Sequence, residues 1–122
     1  MLAKCTSLSS SLQIFTMPVT PLTTKEEFDA AIADSKLVVV DFYADWCGPC
    51  KIIGPKLEAM SEKYKDEVAF FKVNVDELEE VAEECKISSM PTFLFYQNNG
   101  KVGEVIGASE DKIVAEIEKY TF

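Results

Sequence analysis

The chain contains no histidine, and that absence removes the commonest metal ligand and the commonest neutral-pH general base together. Of its four cysteines, only Cys47 and Cys50 stand in a C-x-x-C pair, while Cys5 and Cys85 form no second pair. A tetrahedral zinc site built on the pair is therefore short of two ligands. Basic residues are also scarce, 12 against 21 acidic for a formal net charge of −9. That balance argues against nucleic acid or an anionic membrane as a partner and favours a monomer held apart by self-repulsion. No apolar run approaches the length that spans a bilayer. Nor does cysteine usage resemble a secreted disulfide framework, which points to a reducing compartment.

Residues 1–16 lack both arginine and any acidic side chain; the first carboxylate is Glu26. The segment is rich in Ser and Thr, and Leu8, Leu12 and Phe15 fall on one helical face. It reads as a cleaved organellar transit peptide or as a dispensable tail ahead of a chain that begins at Met17. Cys5 has no role in either reading. Residues 17–122 make one domain, large enough to bury a core without a disulfide or metal to hold it. The location is then cytoplasmic, or mitochondrial or otherwise organellar if residues 1–16 direct import.

Along the domain, Val19 to Leu22 suits a short edge strand, and Thr23 to Glu26 fits a capping box for a helix with Phe28, Ala31 and Ile32 on its apolar face, ending near Asp34. Leu37 to Ala44, LVVVDFYA, is apolar on both alternations, as expected of a central strand covered on both faces. Asp41 is the exception within it. A carboxylate there either reaches solvent at the strand end or is kept for chemistry. Ile53, Leu57, Met60 and Tyr64 mark a helix over 47–64 with Pro55 inside it, where a kink is expected. Val68 to Val75 is a second strand with polar Lys72 in it, and Asp76 is placed to cap a helix whose apolar stripe ends at Cys85. Cys85 reads as a small core hydrophobe. Asn99-Gly100 between two β-type runs predicts a hairpin, and Ser109 caps a last helix carrying Ile113, Val114, Ile117 and Tyr120. The sum is an α/β domain, one mixed sheet of about five strands with about four helices on both faces.

Trp46-Cys47-Gly48-Pro49-Cys50 lies between the central strand and the long helix. Two thiols three residues apart close a small disulfide ring at a helix start, where unpaired N–H groups and the helix dipole favour a thiolate. An ordinary thiol with a pKa near 8.5 is only about 3% ionised at pH 7, so that field raises the nucleophile's population. With Lys72-Val73-Asn74-Val75-Asp76, Met90-Pro91-Thr92-Phe93 and Val105-Ile106-Gly107-Ala108 in the same order and spacing, the chain from Val19 onward resembles the thioredoxin family. Tyr43 departs from it, standing where many members carry a second Trp.

The resemblance implies a thioredoxin fold and a protein-disulfide reductase without a bound cofactor, recharged by an NADPH-dependent flavoprotein, thioredoxin reductase. It implies that Cys47 attacks, Cys50 resolves the mixed disulfide, Asp41 beneath them serves as base, and Lys72 opposes the rise in the Asp41 pKa. It also implies a cis peptide before Pro91, and a docking surface for disulfide-containing proteins made of Trp46, Gly48, Pro49, Met90, Pro91, Gly107 and Ala108. Two other readings compete: an oxidase or isomerase of the same fold, which the Gly-Pro between the thiols disfavours, and a partner clamp with incidental redox activity.

Overall fold

The computed structural model describes residues 19–121; the predicted leader, Cys5 and Met17 lie outside them. Five strands form one sheet: β1 (Val19–Pro21), β2 (Leu37–Tyr43), β3 (Val68–Asn74), β4 (Thr92–Gln97) and β5 (Gly100–Ile106), in the order β1-β3-β2-β4-β5. β3 runs parallel to both β1 and β2, whereas β4 is antiparallel to β2 and β5. Four helices accompany them among the described residues: α1 (Lys25–Ala31), α2 (Gly48–Lys63), α3 (Glu79–Glu84) and α4 (Glu110–Thr121).

The sheet separates two apolar layers, and strand alternation decides which side chain joins which. Leu37, Val39 and Phe70 pack with Ile53, Leu57 and Met60 of α2 and with Ile113 and Ile117 of α4. Val38, Val40, Phe42 and Val73 pack instead with Phe28 of α1 and Val81 of α3. β2 is thus covered on both faces, as its unbroken apolar run predicts. Asp41 falls on the Leu37–Val39 side, under α2.

Local signals place most helix ends. The N-cap is Thr24, one residue later than expected: the Glu27 N–H donates to Thr24 Oγ1 at 3.1 Å, while Glu27 Oε1 reaches past the cap to accept from the Thr23 N–H at 2.7 Å. α1 ends at Ala31, ahead of the expected Asp34. α2 continues through Pro55 to Lys63. Ser109 caps α4, accepting from the Lys112 N–H at 3.3 Å. In the hairpin the two residues with positive φ are Asn98 (54°) and Asn99 (70°), and Gly100 already belongs to β5. The loop is one residue earlier than Asn-Gly suggests because Asn also tolerates the left-handed region. Its N–H groups at 98 and 99 donate to the carbonyls of Asp34 and Ile32, fastening the hairpin to the α1–β2 connection.

One cap differs in kind. The residue before α3 is Leu78, with no side-chain cap, and Asp76 stands two residues earlier. Its carboxylate instead accepts from the Trp46 indole N–H at 3.0 Å. The helix starts two residues too late for Asp76 to be its N-cap.

Candidate active site

Cys47 is the N-cap of α2, with extended backbone, and Pro49 occupies the first turn, where a missing N–H costs nothing. Cys47 and Cys50 are joined as a disulfide, their Cα atoms 5.3 Å apart. The Cys50 N–H donates to Cys47 Sγ at 3.2 Å, so a helix-terminal N–H without an intrahelical partner points at that sulfur. Negative charge developing there meets both this donor and the positive end of the helix dipole. The two residues are almost equally buried, 5% (Cys47) and 7% (Cys50) exposed. Because the disulfide ties both sulfurs into one ring against Ala44, overall exposure does not separate them. Their surroundings do. Cys50 lines a cleft of about 200 Å³ shared with Asp41, Tyr43, Lys51 and Lys72.

Asp41 is only 4% exposed, and its Oδ1 has no hydrogen-bond partner. Burial disfavours the carboxylate and raises the pKa from an ordinary 3.8 to about 7, against the opposing charge of Lys72. Lys72 is the cross-strand partner of Asp41 in the β2–β3 ladder. Its ammonium lies 5.8 Å from the centre of the Tyr43 ring, which restrains it at the cleft. A second cleft, of about 520 Å³, meets the first at Asp41, Gly54 and Lys72 and is bordered further out by Val19, Pro55 and Glu58. The strand-end alternative for Asp41, a carboxylate with ordinary solvation, does not hold. Tyr43 borders the same space, and burial, followed by the charges of Asp45, Glu77 and Asp41, raises its phenol pKa.

The residues named as a docking surface converge around the sulfurs from three segments. Met90 packs against the Cys47–Cys50 cluster, and the Met90–Pro91 peptide is cis. The Gly107 N–H donates to the Pro91 carbonyl at 2.9 Å, joining the Met90-Pro91 loop to the end of β5 and to Ala108 beyond it. Gly107 has a φ of 103°, a conformation side chains with a Cβ rarely adopt. Apart from its chain neighbours and the α2 backbone, nothing lies within 4 Å of where a Cβ on Gly48 would be, so the space over Gly48 is open. Trp46 is 68% exposed beside it.

Ile106 was not singled out from the sequence. It is 56% exposed and paired with Thr92 directly after Pro91, extending the apolar rim. The signal available was its position on an edge strand, outward of buried Val105. Asp76 was placed wrongly, and nothing local indicates its bond to Trp46. Cys85 behaves as expected: it packs partly buried beside the Val81 layer, its sulfur 3.6 Å from Tyr96 Oη, and burial raises its pKa.

A cysteine pair at a helix start, under an open apolar rim and above a buried carboxylate, is the arrangement of a thiol-disulfide exchange centre. The model of the thioredoxin family matches residues 19–119. The chain belongs to the thioredoxin family. It is 53% identical over 91 residues to thioredoxin-1 of Saccharomyces cerevisiae, covering 75% of this chain and 87% of that one. Among solved structures, Plasmodium falciparum thioredoxin superposes with a TM-score of 0.80 at 46% identity, over 84% of this chain and 99% of that one. Mitochondrial thioredoxin 3 of S. cerevisiae superposes with 0.78 at 38% identity, over 83% and 94%. The protein is a thiol-disulfide oxidoreductase acting as a protein-disulfide reductase through the Cys47–Cys50 pair. The clamp reading, with incidental redox activity, is not favoured.

Proposed function

We propose that Cys47 and Cys50 divide the reaction unequally. Cys47 thiolate attacks one sulfur of a substrate disulfide, forming a mixed disulfide and expelling the other substrate sulfur as a thiolate. Cys50 then gives its proton to Asp41, directly or through one water, and attacks Cys47 Sγ. The Cys47–Cys50 bond forms, the second substrate thiolate leaves, and two electrons have passed to the substrate. Lys72 limits how far burial raises the Asp41 pKa, keeping it near neutral pH, where a base both accepts and releases a proton. The observation that carries this division is the cleft that Cys50 shares with the unpartnered carboxylate of Asp41.

Substrates dock on Trp46, Gly48, Pro49, Met90, Pro91, Gly107 and Ala108. Such a rim makes few side-chain demands, and extended main chain of many proteins satisfies it. The oxidised pair is returned to the dithiol by an NADPH-dependent thioredoxin reductase. Among the described residues no helix is long and apolar enough to cross a membrane. In the transit-peptide reading residues 1–16 are cleaved on organellar import; in the tail reading the protein is cytoplasmic, whether or not its chain begins at Met17. The mass of the native N-terminus, read together with cell fractionation, distinguishes the two.

Cys50→Ser is expected to accumulate substrates as mixed disulfides through Cys47, whereas Cys47→Ser loses disulfide reduction by at least about a thousandfold, as for removal of an essential nucleophile. Trapping by Cys47→Ser in place of Cys50→Ser reverses the assignment. Turnover of oxidised protein by a purified NADPH-dependent thioredoxin reductase tests the recharging step.

A further inference from the structure

Asn74, the last residue of β3, is buried, and its carboxamide touches both segments that flank Trp46. Its Oδ1 accepts from the Asp76 N–H at 2.9 Å, and its Nδ2 donates to Asp45 Oδ2 at 3.4 Å. Asp76 in turn receives the Trp46 indole N–H at 3.0 Å, and Asp45 is the residue immediately before Trp46. The Asn74 carbonyl also accepts the N–H groups of Glu77 and Leu78, each at 3.0 Å, which closes the turn that carries Asp76.

We infer that Asn74 is a positioning residue for the substrate-docking aromatic: it fixes Asp76 and Asp45 from beneath, and through Asp76 it sets the orientation of the Trp46 indole. The chemistry asks for this residue type. One face of the brace needs an acceptor for a backbone N–H and the other a donor to a carboxylate; a carboxamide supplies both without adding charge. A carboxylate at 74 loses the donor and faces Asp45 with like charge. An alkyl side chain leaves the Asp76 N–H without that acceptor. Trp46 itself is mostly exposed, so packing alone does not hold the ring. Two hydrogen bonds in series do. The role rests on the proposed docking function of Trp46 only for its effect on substrates; the effect on the indole stands independently.

Trp46 is the single tryptophan of the chain, so its indole N–H gives one resonance in a ¹⁵N-labelled full-length sample. In Asn74→Ala that N–H is expected to exchange with solvent at least about tenfold faster, and the KM for a protein disulfide such as insulin is expected to rise about fivefold while kcat changes less than about twofold. Asp76→Ala, at an exposed position, is expected to reproduce the indole change, and Asn74→Ala added to it is expected to change the indole little further, since the two act in one chain of bonds. Asn74→Asp, of nearly the same shape, is expected to fall between wild type and Asn74→Ala in both readouts. An indole exchange rate in folded Asn74→Asp and Asn74→Ala equal to wild type overturns the inference whatever their KM. If Trp46→Ala leaves the insulin KM unchanged, the docking role of Trp46 fails, while the brace is still judged on the indole signal alone.

Discussion

The two faces of β2 carry the same kind of strand and do different work. On the face toward α1 and α3 the side chains are Val38, Val40 and Phe42, all fully buried, with Phe28 meeting Phe42 edge-on at 6.3 Å and Tyr96 at 5.9 Å. On the face toward α2 the series is Leu37, Val39, then Asp41. Where the first face puts an aromatic ring, the second puts a carboxylate without a partner. In the helix above, Gly54 and Pro55 border a cleft that reaches Asp41. Pro55 donates no N–H to the carbonyl of Lys51, one turn back. One face of the strand is packed with apolar side chains, whereas the other buries a carboxylate in the cleft it shares with Cys50.

The sharpest way to break this contrast is on the stable face. Phe42→Ala is expected to cost about 3–5 kcal/mol by urea denaturation, as for a fully buried aromatic truncated to a cavity. A cost below about 1 kcal/mol would show that this layer is not the main support. Next comes Asp41→Asn. Burial lifts Asp41 from 3.8 to about 7, so the native state keeps a proton that the unfolded chain has released. The stability this contributes is complete below about pH 3.8, is lost as the pH rises, and is gone above about pH 7. A gap of about three pH units corresponds to at most about 4 kcal/mol. Asp41→Asn is accordingly expected to gain about 2–4 kcal/mol over wild type at pH 8, shrinking toward zero near pH 4. A gain independent of pH would contradict burial of the charge as the cause.

The same substitution has a smaller kinetic effect. In single-turnover reduction of a protein disulfide, Asp41→Asn is expected to slow release of the second substrate thiolate by at least about tenfold and formation of the mixed disulfide by less. Equal slowing of both steps removes Asp41 as the base for Cys50. The smallest effect lies in α2 itself. No atom stands within 4 Å of a Cβ built on Gly54, so Gly54→Ala is expected to raise stability by about 0.5–1 kcal/mol through helix propensity. A loss instead would show that the space over Asp41 is narrower than it looks and that the two faces are more alike.

Much of this was legible in the residues. The Cys47–Cys50 pair, the covered strand β2 and the apolar stripes of α2 and α4 follow from spacing and periodicity, which act within one or two turns of chain. The resemblance of four motifs located the Pro91 and Gly107 loops. What failed was informative: Asp76 is a residue type that suits an N-cap, but α3 begins only at Glu79 with Leu78 before it, and the Asp76 carboxylate accepts from the Trp46 indole N–H instead. The equal exposure of Cys47 and Cys50 was not legible either, because it depends on the surface of the whole ring.

By itself the sequence determined that two thiols stand at a helix start, beside an aromatic and below no competing metal ligand set, since these are properties of adjacent residues. Only the tertiary structure decided that Asp41 is buried, that Lys72 faces it from β3, and that Asn74 and Asp76 brace Trp46. Desolvation and long-range hydrogen bonds depend on which atoms come to lie within a few ångströms, and for residues some thirty positions apart that distance is set by the packing of the sheet.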